Sequence, residues 1–200
     1  MSSARAMRRL SDRLIRNLSQ PTGDEDVIAL IGQALTQVRG RTVRLRKAAF
    51  PPATASGLWV DRPSHDLIVY EENTDPEHQI VIIGHEAWHM FHGHCSSGPI
   101  GRAASRAAGN DVAVGLAELV AVVSAADDAD APFTDRTDAA LHYAARSDTH
   151  EVDEELDAEH FGLRFATDLL TALRQKRSSI DPHHVSGRIG TSMAHHFRQI

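Results

Sequence analysis

The chain has 200 residues, of which 42% are hydrophobic and 24% are charged, a balance typical of a globular protein with a hydrophobic core. Its formal net charge of −6 argues against a general nucleic-acid binder. Because Cys95 is the only cysteine, no intrachain disulfide can form. There is no apolar run of about 18 residues and no signal-peptide pattern, so we expect a cytoplasmic protein without a membrane span.

The first 40 residues predict two amphipathic helices. Apolar residues recur at helical spacing over 4–18, opposite a row of arginines, and again over 25–38. Asp24 is the predicted N-cap of the second helix, and Gly40 is its predicted end. We interpret the arginine face as a solvated surface; the alternative is a basic docking patch for an acidic partner.

Three short extended runs then predict a small β-sheet within 41–72. They lie at 42–46, 57–60 and 66–71 and are separated by proline-containing and polar turns. Residues 67–71 are a candidate open edge, onto which an extended substrate could add as a further strand.

The central motif lies on the next helix. The pattern of a capping box with an early proline at 74–77 predicts a helix over 74–93. His85 and His89, four positions apart, leave the same face of that helix and can bind one zinc ion. Glu86, about 100° round the helix from His85, is the candidate catalytic base toward the attacking water.

A catalytic zinc site needs a third protein ligand, which must come from another element. A long helix predicted over 149–176 places Glu155, Ala158, Glu159 and Gly162 on one face. The small Ala158 and Gly162 would let this helix approach the motif helix closely. Glu155 could then bind zinc, and Glu159 could hydrogen-bond the second nitrogen of a ligand histidine.

Five other side chains could have a role in the site or beside it. His94, beyond the predicted helix end, is the rival third ligand, although a structural hydrogen bond fits its spacing better. His92 is interpreted as a packing residue, because three ligands along one helix cannot surround a tetrahedral ion. Tyr143 and Tyr70 are candidate donors to the developing oxyanion. No histidine–acid pair accompanies Cys95, so we interpret it as an ordinary thiol.

Two motifs resemble those of the ImmA/IrrE family of intracellular metallopeptidases: His85-Glu86-x-x-His89 followed by Gly93-His94, and Glu155-x-x-Ala158-Glu159-x-Phe161-Gly162. The resemblance covers most of residues 5–175 and is nearest to the branch described as the toxin component of toxin–antitoxin pairs. It implies Glu155 as the third ligand. It also implies a partner substrate, a helix-turn-helix (XRE-type) repressor. The acidic chain, which has no basic cluster near the motif, predicts no direct contact with nucleic acid.

These patterns together predict an α+β, mainly helical fold with a zincin-like core, in which a small sheet packs on the His-Glu-x-x-His helix and a second helix carries a ligand. The predicted segments are a helix pair (1–40), the sheet (41–72), the metal helix (74–93) and the second ligand helix (149–176), within one domain (1–176) followed by a tail (177–200). The predicted function is that of a regulatory endopeptidase with one Zn²⁺, which cleaves a partner repressor. The alternative is a non-catalytic zinc-containing regulator that acts by protein–protein binding.

Overall fold

The structure is a computed structural model that describes residues 3–19, 26–52, 55–92, 118–119, 121–123, 125 and 149–180, the last of these with side chains over 152–175. Its main elements are α1 (Ser3–Arg16), α2 (Val27–Arg39), β1 (Val43–Ala48), β2 (Gly57–Asp61), β3 (Asp66–Glu71), α3 (Pro76–His92) and α4 (Thr149–Ile180). The fold is therefore α+β and mainly helical, with a small sheet, as predicted.

The chain comprises two compact units, Met1–Ala166 and Thr167–Ile200. Helix α4 begins in the first unit and ends in the second, and all the residues considered below belong to the first. The predicted limits of the domain and its tail stay a prediction. Within the described ranges, no helix is both long and apolar enough to cross a membrane.

Helices α1 and α2 lie in the two segments for which the apolar periodicity predicts helices. Helix α1 buries Met7, Leu10 and Leu14, and its arginines are exposed. The predicted cap of α2, Asp24, lies outside the described residues; the cap is Asp26, whose side chain accepts from the N–H of Ile28. The predicted end of α2 is confirmed, since Gly40 has the left-handed φ of 73° that favours glycine.

The sheet has the strand order β1-β3-β2, with β1 parallel and β2 antiparallel to β3. The prediction that 67–71 forms an open edge is wrong, because β3 is the central strand and pairs on both sides. Its residues Asp66 to Tyr70 are all buried. Among the described strands, the edges of the sheet are β1 and β2.

The two faces of the sheet differ in what they contact. Leu58, Val60, Leu67 and Val69 form an apolar cluster on one face. Because side chains alternate along a strand, Gly57 and Trp59 belong to the other face. Helix α3 packs against β2 and β3, and its Glu86 lies beside Gly57. The sheet therefore packs on the helix that carries the motif.

The buried carboxylate of Asp66 ties the sheet to α2. Asp66 is 0% exposed and accepts hydrogen bonds from Trp59 Nε1 at 2.9 Å and from Arg39 Nε at 3.0 Å. Arg41 lies 3.8 Å from the same carboxylate. A buried carboxylate is stable only with such partners, so this cluster fixes the indole of Trp59 against β3.

Helix α3 begins one residue later than a capping box at Thr74 would require. The N-cap is Asp75, whose Oδ1 accepts from the N–H of His78 at 2.9 Å. Pro76 is the first helical residue, and a proline there disfavours the helical conformation of the residue before it. Asp75 is therefore held outside the helix, in the position from which its side chain caps it.

Candidate metal centre

Helices α3 and α4 contact each other at two glycines. A Cβ placed on Gly162 would lie 2.6 Å from the carbonyl oxygen of Val81 and 3.2 Å from the backbone nitrogen of His85. A Cβ placed on Gly84 would lie 3.0 Å from the Cα of Gly162. Ala158, on the same face of α4, is fully buried. The predicted close approach of the two helices at Ala158 and Gly162 is thus confirmed.

This close approach brings His85, His89 and Glu155 together. The two Nε2 atoms are 3.2 Å apart, and the Glu155 oxygens lie 3.4 Å from His85 Nε2 and 3.4 Å from His89 Nε2. Metal–ligand bonds of about 2.0–2.1 Å at tetrahedral angles put ligand atoms about 3.3–3.4 Å apart. The three side chains therefore could hold a metal ion.

The three ligand side chains differ in their exposure. That of His89 is 6% exposed, whereas those of His85 and Glu155 are 26% and 22% exposed. The cluster is therefore closed behind His89 and open toward His85 and Glu155. A catalytic metal site requires such an open position, where water or substrate can reach the ion.

The electrostatics of the cluster favour positive charge. Burial acts to lower the pKa of His85, but its hydrogen bond to the Glu155 carboxylate and the charges of Glu86, Glu155 and Glu159 outweigh burial and raise that pKa above its ordinary value. The same negative charges would favour a bound cation.

Glu86 lies on a different side of α3, against strand β2. It is 9% exposed, and its Oε1 would be 2.6 Å from a Cβ on Gly57. Burial raises its pKa to about 7, although the charge of His85 and a hydrogen bond from the backbone N–H of Trp59 oppose that rise. A carboxyl group with such a pKa can both take and return a proton near neutral pH.

Two of the secondary candidates lie near, but not in, the ligand cluster. Glu159 is exposed and acts on His85 through its charge; its hydrogen bond to a ligand histidine stays a prediction. His92 stacks on Trp88 with ring centroids 3.8 Å apart, and its Nδ1 lies 3.1 Å from the Trp88 carbonyl oxygen. This geometry agrees with the packing role predicted for His92.

Tyr70 takes part in a cavity formed by α2, β1 and β3. It is buried in β3 and lines this cavity of about 520 Å³ together with residues of α2 and β1, such as Asp26 and Thr36. Burial and the charge of Asp26 raise its pKa. His94, Tyr143 and Cys95 lie outside the described residues.

Sequence reasoning missed three contributors to the site: Gly84, Gly57 and the backbone N–H of Trp59. A signal existed for Gly57, because a glycine inside a strand often marks the close approach of another group. Gly84, directly before His85, could have been paired with Gly162 by the same argument. The contact of Trp59 with Glu86 depends on strand pairing, which the local sequence does not specify.

Comparison with known proteins yields no relative. No protein-family model matches the chain, and no match was found among curated proteins or among solved structures. The candidate metal centre consists of two imidazoles and a carboxylate at the spacing of tetrahedral ligands, with a buried carboxyl group on the neighbouring side of the same helix.

Proposed function

We propose that the chain is a zinc-dependent endopeptidase with a zincin-like core, as the resemblance of its motifs to ImmA/IrrE metallopeptidases implies. One observation carries this proposal: atoms of His85, His89 and Glu155, from two separate helices, all lie within 4.8 Å of one another. Two histidines and a glutamate are a ligand set of catalytic zinc sites, which keep a further position open.

Zinc is the metal that best suits this donor set. Imidazole nitrogen favours zinc and other transition metals, whereas magnesium and calcium prefer sites made of oxygen alone. When bound, zinc would lower the pKa of a water molecule and polarise the substrate carbonyl.

The residues of the chain supply the remaining steps. His85 and His89 hold the ion through Nε2, and Glu155 holds it through a carboxylate oxygen. The carboxylate of Glu86 accepts a proton from the attacking water and donates it to the amine nitrogen as the peptide bond breaks. Its burial supports this role, because burial keeps its two protonation states close in free energy.

The proposed substrate is a partner protein cut at few positions, namely a helix-turn-helix (XRE-type) repressor. This part of the proposal rests on the resemblance of the two motifs. The chain would then act in the cytoplasm as a regulator, in the manner of a toxin–antitoxin component.

Glu86→Gln tests the assigned base. The side chain keeps its shape but loses its basic oxygen, so we expect bound zinc to be retained and cleavage to fall at least about 100-fold. Zinc content is measured by elemental analysis, and cleavage with a pool of internally quenched peptides. Full cleavage by this variant would exclude Glu86 as the base.

Co-expression with a helix-turn-helix protein encoded beside this gene separates the two candidate functions. A truncated partner that appears only with intact Glu86 supports the endopeptidase. An intact partner that co-purifies equally with the wild type and Glu86→Gln supports a regulator that acts by binding alone.

A further inference from the structure

The register of β2 determines where its backbone groups point. Glu71 donates from its N–H to the carbonyl of Ser56, and Arg62 donates to the carbonyl of His65. In an antiparallel pair, hydrogen-bonded positions alternate with positions whose N–H and C=O point away from the partner strand. Residues 57, 59 and 61 therefore direct their backbone groups away from β3.

Two of these positions contact Glu86. The backbone N–H of Trp59 donates a hydrogen bond to its carboxylate. At Gly57 there is no side chain, and a Cβ would lie 2.6 Å from Glu86 Oε1 and 3.0 Å from Glu86 Cγ. The same Cβ would lie 2.6 Å from Ile82 Cγ2, one turn earlier on α3. Contacts below 3.0 Å cannot persist without movement, so only glycine leaves Glu86 where it is.

We propose that β2 is a positioning strand for the base: the bare backbone of Gly57 leaves room for the Glu86 carboxylate, and the N–H of Trp59 orients it. The catalytic consequence of this arrangement rests on the proposed function, whereas the contact itself does not. Gly57 and Trp59 act through Glu86 and are not among the three candidate ligands.

Strand β2 cannot move away from Glu86 easily, because the indole of Trp59 is hydrogen-bonded to the neighbouring strand, β3. The indole Nε1 donates to Asp66 at 2.9 Å, and Asp66 is itself paired with Arg39. A side chain at position 57 would therefore move Glu86 rather than the strand.

Gly57→Ala tests the kinetic consequence. A displacement of reacting groups by about 1 Å can cost about 100-fold in rate, so we expect kcat on the cleaved quenched peptides to fall about 10- to 100-fold. Zinc content and KM should stay at wild-type values, because the ligands are not touched. Gly32→Ala is the matched control: its Cβ would have only an ordinary 3.5 Å contact with Leu45. A wild-type kcat in Gly57→Ala would overturn the proposal.

A stability cycle tests the contact without using activity. The Tm of the metal-free protein is measured for the wild type, Gly57→Ala, Glu86→Ala and the double variant. We expect Gly57→Ala to lower Tm more when Glu86 is present, since the contact with Ile82 is common to both backgrounds. Equal losses of Tm in the two backgrounds would overturn the proposal.

The two experiments also separate this proposal from the proposed function. If the wild type cleaves no peptide and no partner, the endopeptidase is contradicted, and the Tm cycle still decides whether β2 holds Glu86. Should Gly57→Ala not fold, Gly57→Ala/Ile82→Ala removes the contact with Ile82 and keeps the one with Glu86. The same comparison with and without Glu86→Ala is then made in that background.

Discussion

The backbones of α4 and β2 approach helix α3 on two of its sides. Each of the two contacts determines a different property of the candidate site. Toward α4, Gly84 and Gly162 allow the two helices to come close, which sets the distance between the ligand histidines and Glu155. Toward β2, Gly57 leaves room for the side chains of Ile82 and Glu86. If the proposed function holds, the first contact governs whether a metal can bind, and the second governs the position of the proposed base, Glu86. Substitution of Gly162 should therefore impair metal binding and leave Glu86 in place, whereas substitution of Gly57 should displace Glu86 and leave metal binding intact.

The two sides also differ in their electrostatics. On the ligand side, His85 is surrounded by carboxylates that raise its pKa and favour positive charge. On the β2 side, burial disfavours the charged form of Glu86 and raises its pKa. Thus the helix has a side that favours a cation and, about 100° away, a carboxyl group whose two protonation states are close in free energy.

Gly162→Ala should have the largest effect, because its Cβ would meet backbone atoms, which cannot rotate away. In a helix interior alanine is intrinsically favoured over glycine by about 0.5–1 kcal/mol. We nevertheless expect a net loss of about 1–3 kcal/mol in the free energy of unfolding, together with weaker zinc binding as Glu155 moves away. Urea unfolding and a zinc competition titration measure the two effects.

Gly32→Ala provides the control for Gly162→Ala, since both replace a helical glycine. Its Cβ would meet Leu45 at an ordinary 3.5 Å, so we expect unchanged zinc binding and equal or greater stability. If Gly162→Ala behaved like Gly32→Ala, the close crossing of α3 and α4 would not set the ligand distances.

Glu155→Ala should affect the metal alone. Glu155 is partly exposed, so its removal leaves the core intact, but it removes one of the three proposed ligands. We expect zinc affinity to fall at least about 100-fold, the upper end of what loss of an outer-shell partner costs. A competition titration measures it, with the exposed acid Asp153 changed to alanine on the same helix as the control. Undiminished zinc binding would transfer the third-ligand role to another residue, such as His94.

The candidate ligands could be predicted because the relevant patterns are local. The spacing of His85 and His89 specifies one helix face, and small residues one turn apart identify the close face of α4. Glu155 could be predicted as the third candidate ligand because it shares that face with Ala158 and Gly162. Helical geometry converts each spacing into a direction, so no knowledge of distant contacts is needed.

What could not be predicted depends on pairing between distant segments. The central place of β3 follows from its pairing with both β1 and β2, and neither pairing is visible in the alternation of 66–71. The contacts of Glu86 with Gly57 and Trp59 depend on that same register. Tyr70 was a candidate for the site because of its position in sequence, but it lines a cavity together with residues of α2 and β1.

Glu71→Gln should have the smallest effect, because the carboxylate of Glu71 accepts hydrogen bonds from two turns that are not part of the candidate metal centre. Its carboxylate accepts from the N–H of Phe50 at 2.9 Å and of Asn73 at 2.7 Å, and so ties together the turns that follow β1 and β3. We expect the free energy of unfolding near neutral pH to fall by about 1–2 kcal/mol, with zinc binding and kcat unchanged. Glu72→Gln, at an exposed neighbour, is the control.

The pH dependence of this loss gives the sharper test. Burial acts to raise the pKa of Glu71, but the hydrogen bonds from Asn73 and Phe50 outweigh it, so the pKa lies below its ordinary value of 4.5. The folded state therefore favours the carboxylate, and its stabilisation is fully present above 4.5 and is lost as the pH falls through the lowered pKa. The stability gap between the wild type and Glu71→Gln should accordingly be widest near neutral pH and narrow in acid. If urea unfolding gave the same stability difference between the wild type and Glu71→Gln at neutral and at acidic pH, the hydrogen bonds would stabilise the fold without the charge of the carboxylate.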